Sequence, residues 1–129
     1  MASMQQIVLL ILMTLVPHSS GAQGIHSQDE GLEIIVQKQL GNCVACHEIP
    51  GVQNVTSNLG PSLKGVGTRM TRETLTHWVK DARTLQPNTL MPPFGSTTGL
   101  NKLSHQQPLL TDAQIQKVVE TLLTWQSFQ

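Results

Sequence analysis

The sequence predicts an all-α domain, and three observations carry that expectation. Apolar residues recur at helical spacing in three separate stretches, no comparable run alternates apolar and polar residues, and the segments joining the helices are long and rich in Gly, Pro, Ser, Thr and Asn. The third is unusual by itself, because connections beyond about 12 to 15 residues are uncommon in a compact small domain. Segments 49–69 and 83–110 both exceed that length. They make sense if they wrap a large ligand.

The first stretch is not part of the domain. Residues 7–17, IVLLILMTLVP, form an apolar run shorter than the roughly 20 residues a membrane-spanning helix takes, and Ser20 and Ala22 stand at the small-residue positions of a signal-peptidase site. Residues 1–22 therefore read as a signal peptide, with Gln23 as the mature start and residues 23–129 as one exported domain, without a membrane span once the signal is removed. In that domain Ser27 with Glu30 forms a capping-box pattern, and Leu32, Ile35, Val36 and Leu40 follow at helical spacing, giving a first helix that ends near Gly41. Thr71 caps a second, in which Leu75, Trp78, Val79 and Ala82 recur at i, i+3, i+4 and i+7, and which must stop before Pro87. Thr111 with Gln114 opens a third, carrying Ile115, Val118, Val119 and Leu122 on one face.

Eight basic and eight acidic residues balance. From Lys64 to Arg83 bases outnumber acids five to two, and residues 29–48 offset this with four acids and one Lys. Patches so mild are solvated faces, and they exclude nucleic acid, which requires a concentrated basic surface. The domain left after export is small, with few aromatics, and domains of this size often supplement the core with a disulfide, a metal or a prosthetic group.

The chemistry centres on GNCVACHEIP, residues 41–50. A redox dithiol places its CxxC at the end of a strand that opens a helix. Here a helix precedes the motif and strands are missing. A zinc site needs four ligands, so Cys43 and Cys46 would have to recruit two of His26, His47, His77 and His105 at spacings that fit no zinc pattern. CxxCH reads instead as c-type heme attachment, in which Cys43 and Cys46 become thioethers on the heme vinyls and His47 is thereby delivered to the iron. One heme c per chain is the implied cofactor.

A second axial ligand is sought downstream. Met91 lies in PNTLMPPFG, whose prolines stiffen the backbone, and a stiff loop can hold a thioether against iron. Met70, His77 and His105 remain as alternatives, although Met70 beside the second helix also fits the role of flexible core filler.

GPSLKGVGTR at 60–69, PNTLM at 87–91 and CVACH together resemble the class I cytochrome c pattern. The resemblance implies a cytochrome c-like fold of three main helices and long loops around one covalent heme. It implies that the Pro61 carbonyl accepts from the other ring nitrogen of His47, that Arg69 and Thr89 lie near the heme propionates, and that Trp78 packs on the Met91 side. Each also has a plainer reading, as a turn former, a solvated cation, a loop polar residue or core. A closer similarity, carried by GNCVACH, NLGPSLKGVGTR, LTHWVKDAR, TLMPPFG and LTDAQIQKVVETLLT in that order, is to the SoxX family, the monoheme cytochrome subunits of bacterial thiosulfate-oxidising Sox systems.

That resemblance implies a periplasmic heterodimer with a SoxA-like cytochrome, which joins thiosulfate oxidatively to a cysteine of the carrier SoxYZ as an L-cysteine S-thiosulfotransferase and passes electrons to a downstream acceptor cytochrome. With Cys43 and Cys46 both thioethers, no thiol remains to hold sulfur, so this subunit would relay electrons, contribute no catalytic residue and not be catalytic alone. The competing expectations are a free periplasmic monoheme shuttle and a CxxC dithiol oxidoreductase.

Overall fold

A computed structural model of the chain describes residues 26–54, 57–99 and 107–127. The expected signal peptide and His105 lie outside the described residues. Among the described residues there is no strand, and no helix is long and apolar enough to cross a membrane.

Helix α1 spans His26–Val36, so the backbone is already helical at Ser27, the residue expected to cap it. It also stops short of Gly41. After Val36 the chain winds into a tight turn: the Gly41 amide donates to the Ile34 carbonyl at 2.9 Å, and the Leu40 and Asn42 amides donate to the Gln37 carbonyl at 3.1 and 3.0 Å. Asn42 takes a left-handed conformation with φ 46°, which Asn tolerates better than most residues, and this delivers Cys43 into a short 3-10 turn over Cys43–Ala45.

A four-residue helix α2, Val66–Arg69, stands inside the segment expected as loop. Its formation is tertiary. The Gly67 amide donates to the Trp125 carbonyl at 3.0 Å, the Thr68 hydroxyl donates to Gln126 Oε1 at 2.9 Å, and the Ser127 amide donates to that hydroxyl at 2.9 Å. The residues after the last helix thus fasten α2 in place.

Helix α3, Arg72–Asp81, begins where Thr71 accepts from the Thr74 amide at 3.2 Å, and a 3-10 turn over Ala82–Thr84 closes it ahead of Pro87. Helix α4, Asp112–Thr124, opens on the reciprocal pair in which Thr111 Oγ1 accepts from the Gln114 amide and Gln114 Oε1 accepts from the Thr111 amide at 2.9 Å. This is the capping box that the T-x-x-Q pattern predicts.

Helix α4 is the centre of the core. Its Ile115, Val118, Val119 and Leu122 are buried, and α1, α2 and α3 all pack against it. Ile34 and Ile35 of α1, Leu75 and Val79 of α3, and Phe94 and Leu110 from the connection complete the cluster. Each such side chain contributes about 1.5 to 3 kcal/mol of transfer free energy. Helices α1 and α4 touch backbone to backbone at Gly31, where a Cβ would overlap Thr121 Oγ1 and the Lys117 carbonyl. The 86–110 connection is tied back by the Gly95 amide on the Lys80 carbonyl at 2.9 Å and the Leu110 amide on the Phe94 carbonyl at 2.8 Å.

Candidate heme site

A cavity of about 720 Å³ opens between the turn after α1, the loop ahead of α2, α3 and the 86–92 segment. Cys43, Cys46, His47, Pro61, Arg69, Trp78, Thr89 and Met91 all line it, so the fold brings together residues spread over nearly fifty positions of sequence. Its volume falls within the roughly 300 to 1,000 Å³ typical of small-molecule and cofactor sites. The rest of the wall is mostly apolar, with Leu40, Leu63, Val66, Leu75 and Phe94 among its residues.

One wall is built by fastening the 60–64 loop across residues 46–48. The Gly60 amide donates to the Cys46 carbonyl at 2.7 Å, and the Leu63 amide donates to the Glu48 carbonyl at 3.0 Å. Between these two bonds His47 Nδ1 lies 2.7 Å from the Pro61 carbonyl. A carbonyl only accepts, so the ring proton sits on Nδ1 and the lone pair on Nε2. Gly60 makes the approach possible: a Cβ there would run into the His47 ring. An imidazole held in one tautomer by a carbonyl, with its other nitrogen free, is the usual arrangement of a metal-binding His.

Cys43 and Cys46 are half-buried and not joined to each other. Burial pushes the Cys43 thiol up to about 11, with Cys46 adding to the rise and the hydrogen bond to its own backbone opposing it. A redox-active dithiol needs a depressed pKa at its attacking thiol, and burial moves Cys43 the other way. Among the described residues no three His, Cys, Asp or Glu side chains converge as a metal cluster.

Met91 lines the cavity, is half-buried and packs against the core, and its amide donates to Thr89 Oγ1 at 3.2 Å. The short Thr89 to Met91 turn therefore fixes the backbone from which the thioether projects. Trp78 is half-buried on α3. Met70 lines the same cavity, whereas His77 is exposed on α3 and does not.

Two features of the wall went unread in the sequence. Glu48 and Lys64 form an ion pair at 2.6 Å across the two fastened segments, and the bonds from Lys64 and Ser62 lower the Glu48 pKa. The Arg69 guanidinium donates through one terminal nitrogen to the Lys64 carbonyl and through the other to the Ser62 carbonyl at 3.0 Å. The only sequence signal for these is the closeness of Ser62, Lys64 and Arg69 within GPSLKGVGTR.

The residues present fit a covalently attached heme. Two thiols, an imidazole with a free Nε2 and a thioether face one apolar cavity of suitable size, and a missing Cβ at Gly60 seats the imidazole.

The comparisons agree with this geometry. The model of the family described as cytochrome c oxidase, cbb3-type, subunit III matches residues 27–120, from the first helix into the last. A chain of the crystal structure of SoxXA from P. pantotrophus superposes with a TM-score of 0.72 and 31% identity, covering 78% of this chain and 82% of that chain. Comparison with curated proteins returns no match. An all-α chain whose attachment motif, imidazole acceptor and thioether line one cavity, and which matches that family model over most of its length, belongs to this cytochrome c family and is a SoxX-like electron-transfer cytochrome.

Proposed function

We propose that this chain is the electron-transfer subunit of a SoxAX-type complex that couples thiosulfate oxidatively to a carrier cysteine. In this reading residues 1–22 are removed on export to the periplasm, and residues 23–129 hold one heme c through Cys43 and Cys46, with His47 and Met91 as axial ligands. The single observation that carries it is the convergence of these four side chains on one cavity, with His47 Nδ1 already engaged by Pro61 at 2.7 Å. Similarity to a structure titled SoxXA supports the pairing with a SoxA-like subunit.

When bound, heme c supplies a one-electron iron couple. The chain's own residues define what that couple can serve. His47 and Met91 would hold the heme iron through Nε2 and the thioether sulfur, and with both engaged no position would be left for substrate, which favours relay over catalysis. The Pro61 carbonyl keeps the His47 proton on Nδ1 and raises the basicity of Nε2. The mostly apolar wall suits an apolar ring system better than water. Consumption of both thiols in attachment leaves this subunit no sulfur nucleophile, so the carrier cysteine and thiosulfate must be joined elsewhere, in the partner. Joining a thiol to thiosulfate forms an S–S bond and releases two electrons and the thiol proton. A one-electron centre takes these in two successive transfers or shares them with a second redox centre before passing them to a downstream cytochrome.

The test is the mass and pyridine-hemochrome spectrum of the mature protein, followed by native co-purification with a SoxA-like protein and thiosulfate consumption in the presence of a SoxYZ-like carrier. We expect one heme c, linked twice, and a stable heterodimer that consumes thiosulfate. A colourless chain with two titratable thiols would return the dithiol oxidoreductase. A heme-bearing monomer, inert in the mixture, would leave the free shuttle.

A further inference from the structure

Arg69 lines the cavity wall, yet its guanidinium is committed to the main chain. One terminal nitrogen donates to the Lys64 carbonyl and the other to the Ser62 carbonyl at 3.0 Å, so a single planar group bridges two carbonyls two residues apart. Those carbonyls belong to the loop whose preceding residue, Pro61, holds His47 Nδ1 at 2.7 Å. Within the same loop the Lys64 amide donates to Ser62 Oγ at 3.3 Å, and the loop is bonded to residues 46 and 48 on either side of the histidine. Arg69 itself is anchored from behind, because α2 is tied to the C-terminal segment through Gly67 on Trp125 and Thr68 on Gln126 and Ser127. A continuous series of contacts thus runs from the end of the chain, through Arg69, to the acceptor on the imidazole.

We propose that Arg69 is a positioning residue for His47: it clamps the 62–64 turn so that the Pro61 carbonyl stays on Nδ1, and thereby sets how strongly the imidazole donates to iron. This rests on the reading of His47 as an axial ligand. Arg and Lys differ here in a useful way. A guanidinium presents donors in a fixed fork that satisfies both carbonyls at once, whereas an ammonium is a point charge that keeps the positive charge without the fork. A carbonyl that drifts from Nδ1 makes the ligand less basic, which favours the reduced state.

The experiment compares the heme-loaded wild type with Arg69→Lys and Arg69→Gln. It reads hydrogen exchange of the His47 ring proton by NMR in the reduced protein, together with the midpoint potential. The clamp predicts about tenfold faster exchange in both variants, corresponding to loss of roughly one hydrogen bond's worth of protection. It also predicts a higher midpoint in Arg69→Lys, where charge is conserved. If Arg69 acts only as a positive charge beside the cofactor, Arg69→Lys keeps the wild-type potential and exchange rate, and the proposal falls. Should Arg69→Gln unfold, Arg69→Lys alone decides, through exchange at His47 and at the Leu63 amide. A wild-type protein without a protected His47 ring proton shifted by the heme ring current would instead overturn the axial assignment, and the clamp with it.

Discussion

The crossing of α1 on α4 and the wall formed by residues 42–48 and 60–65 are stabilised by different means. At the crossing Ile34, Ile35, Val118 and Val119 are at most 3% exposed, and the helices meet so closely at Gly31 that no side chain fits between them. In the wall no residue from 42 to 48 is buried, and from 60 to 65 only Gly65 is. Hydrogen bonds from main chain, His47 and Arg69 hold it instead. A buried aliphatic side chain contributes about 1.5 to 3 kcal/mol and a hydrogen bond about 0.5 to 1.5 kcal/mol net. The crossing is therefore held by burial within the chain, while the wall is shaped by the chain but completed by what the cavity receives.

The largest test of that difference removes the completing group. Cys43→Ser with Cys46→Ser should abolish covalent heme, seen as the apoprotein mass, and should cost the cooperative melt. A sharp, wild-type-like transition in the double variant would mean that the crossing carries the whole domain. Next in size is Gly31→Ala. Ala is the better helix former by roughly 1 kcal/mol, yet overpacking typically costs about 1 to 3 kcal/mol. We expect a net lower denaturant midpoint with unchanged heme spectrum, and a raised midpoint would show that the helices can part at no cost.

Met91→Ala acts on the other region only. It should open the iron to added ligands such as imidazole, read by absorbance, with a smaller loss of stability than Gly31→Ala. Retention of the native Met-ligand band would move the assignment to Met70, which lines the same cavity. Smallest is the acid dependence of the ion pair that ends α3. The Arg83 guanidinium beside Asp81, 2.7 Å away, holds the Asp81 carboxyl at about 2, below its ordinary 3.8, with burial opposing and Ser96 assisting. A depressed folded pKa contributes stability that is fully present above 3.8 and is lost as pH falls from there through 2. Asp81→Asn should flatten that part of the stability profile, and an unchanged acid slope would show that Asp81 contributes nothing there.

The helices that pack on one another were the legible part. Thr71 and the Thr111 and Gln114 pair mark α3 and α4 at the right residues, because a cap and an apolar stripe are both local signals. Ser27 misleads, since the backbone is helical one residue before it. Helix α2 was invisible: four residues, VGTR, are too short to display a period, and contacts with Trp125, Gln126 and Ser127, almost sixty positions away, hold them. In the site, CVACH and the proline-flanked Met91 stood out as candidates from side-chain identity alone, and the fold places Cys43, Cys46, His47 and Met91 on one cavity. The bonds of Arg69 could not be read, although the residue itself was a candidate, because its partners are main-chain carbonyls, and every residue has one.

The Gly31 contact also orders events in time. Its two halves lie near opposite ends of the chain, so in the export that the proposed function requires, amino end first, Cys43, Cys46 and His47 would emerge long before Lys117 and Thr121. Until those last residues arrive, α1 has no partner for its apolar face, and the attachment motif stays on an open chain that a maturation enzyme can reach. Under the proposed function, late closure of the fold would thus grant the two sulfurs an interval in which to react.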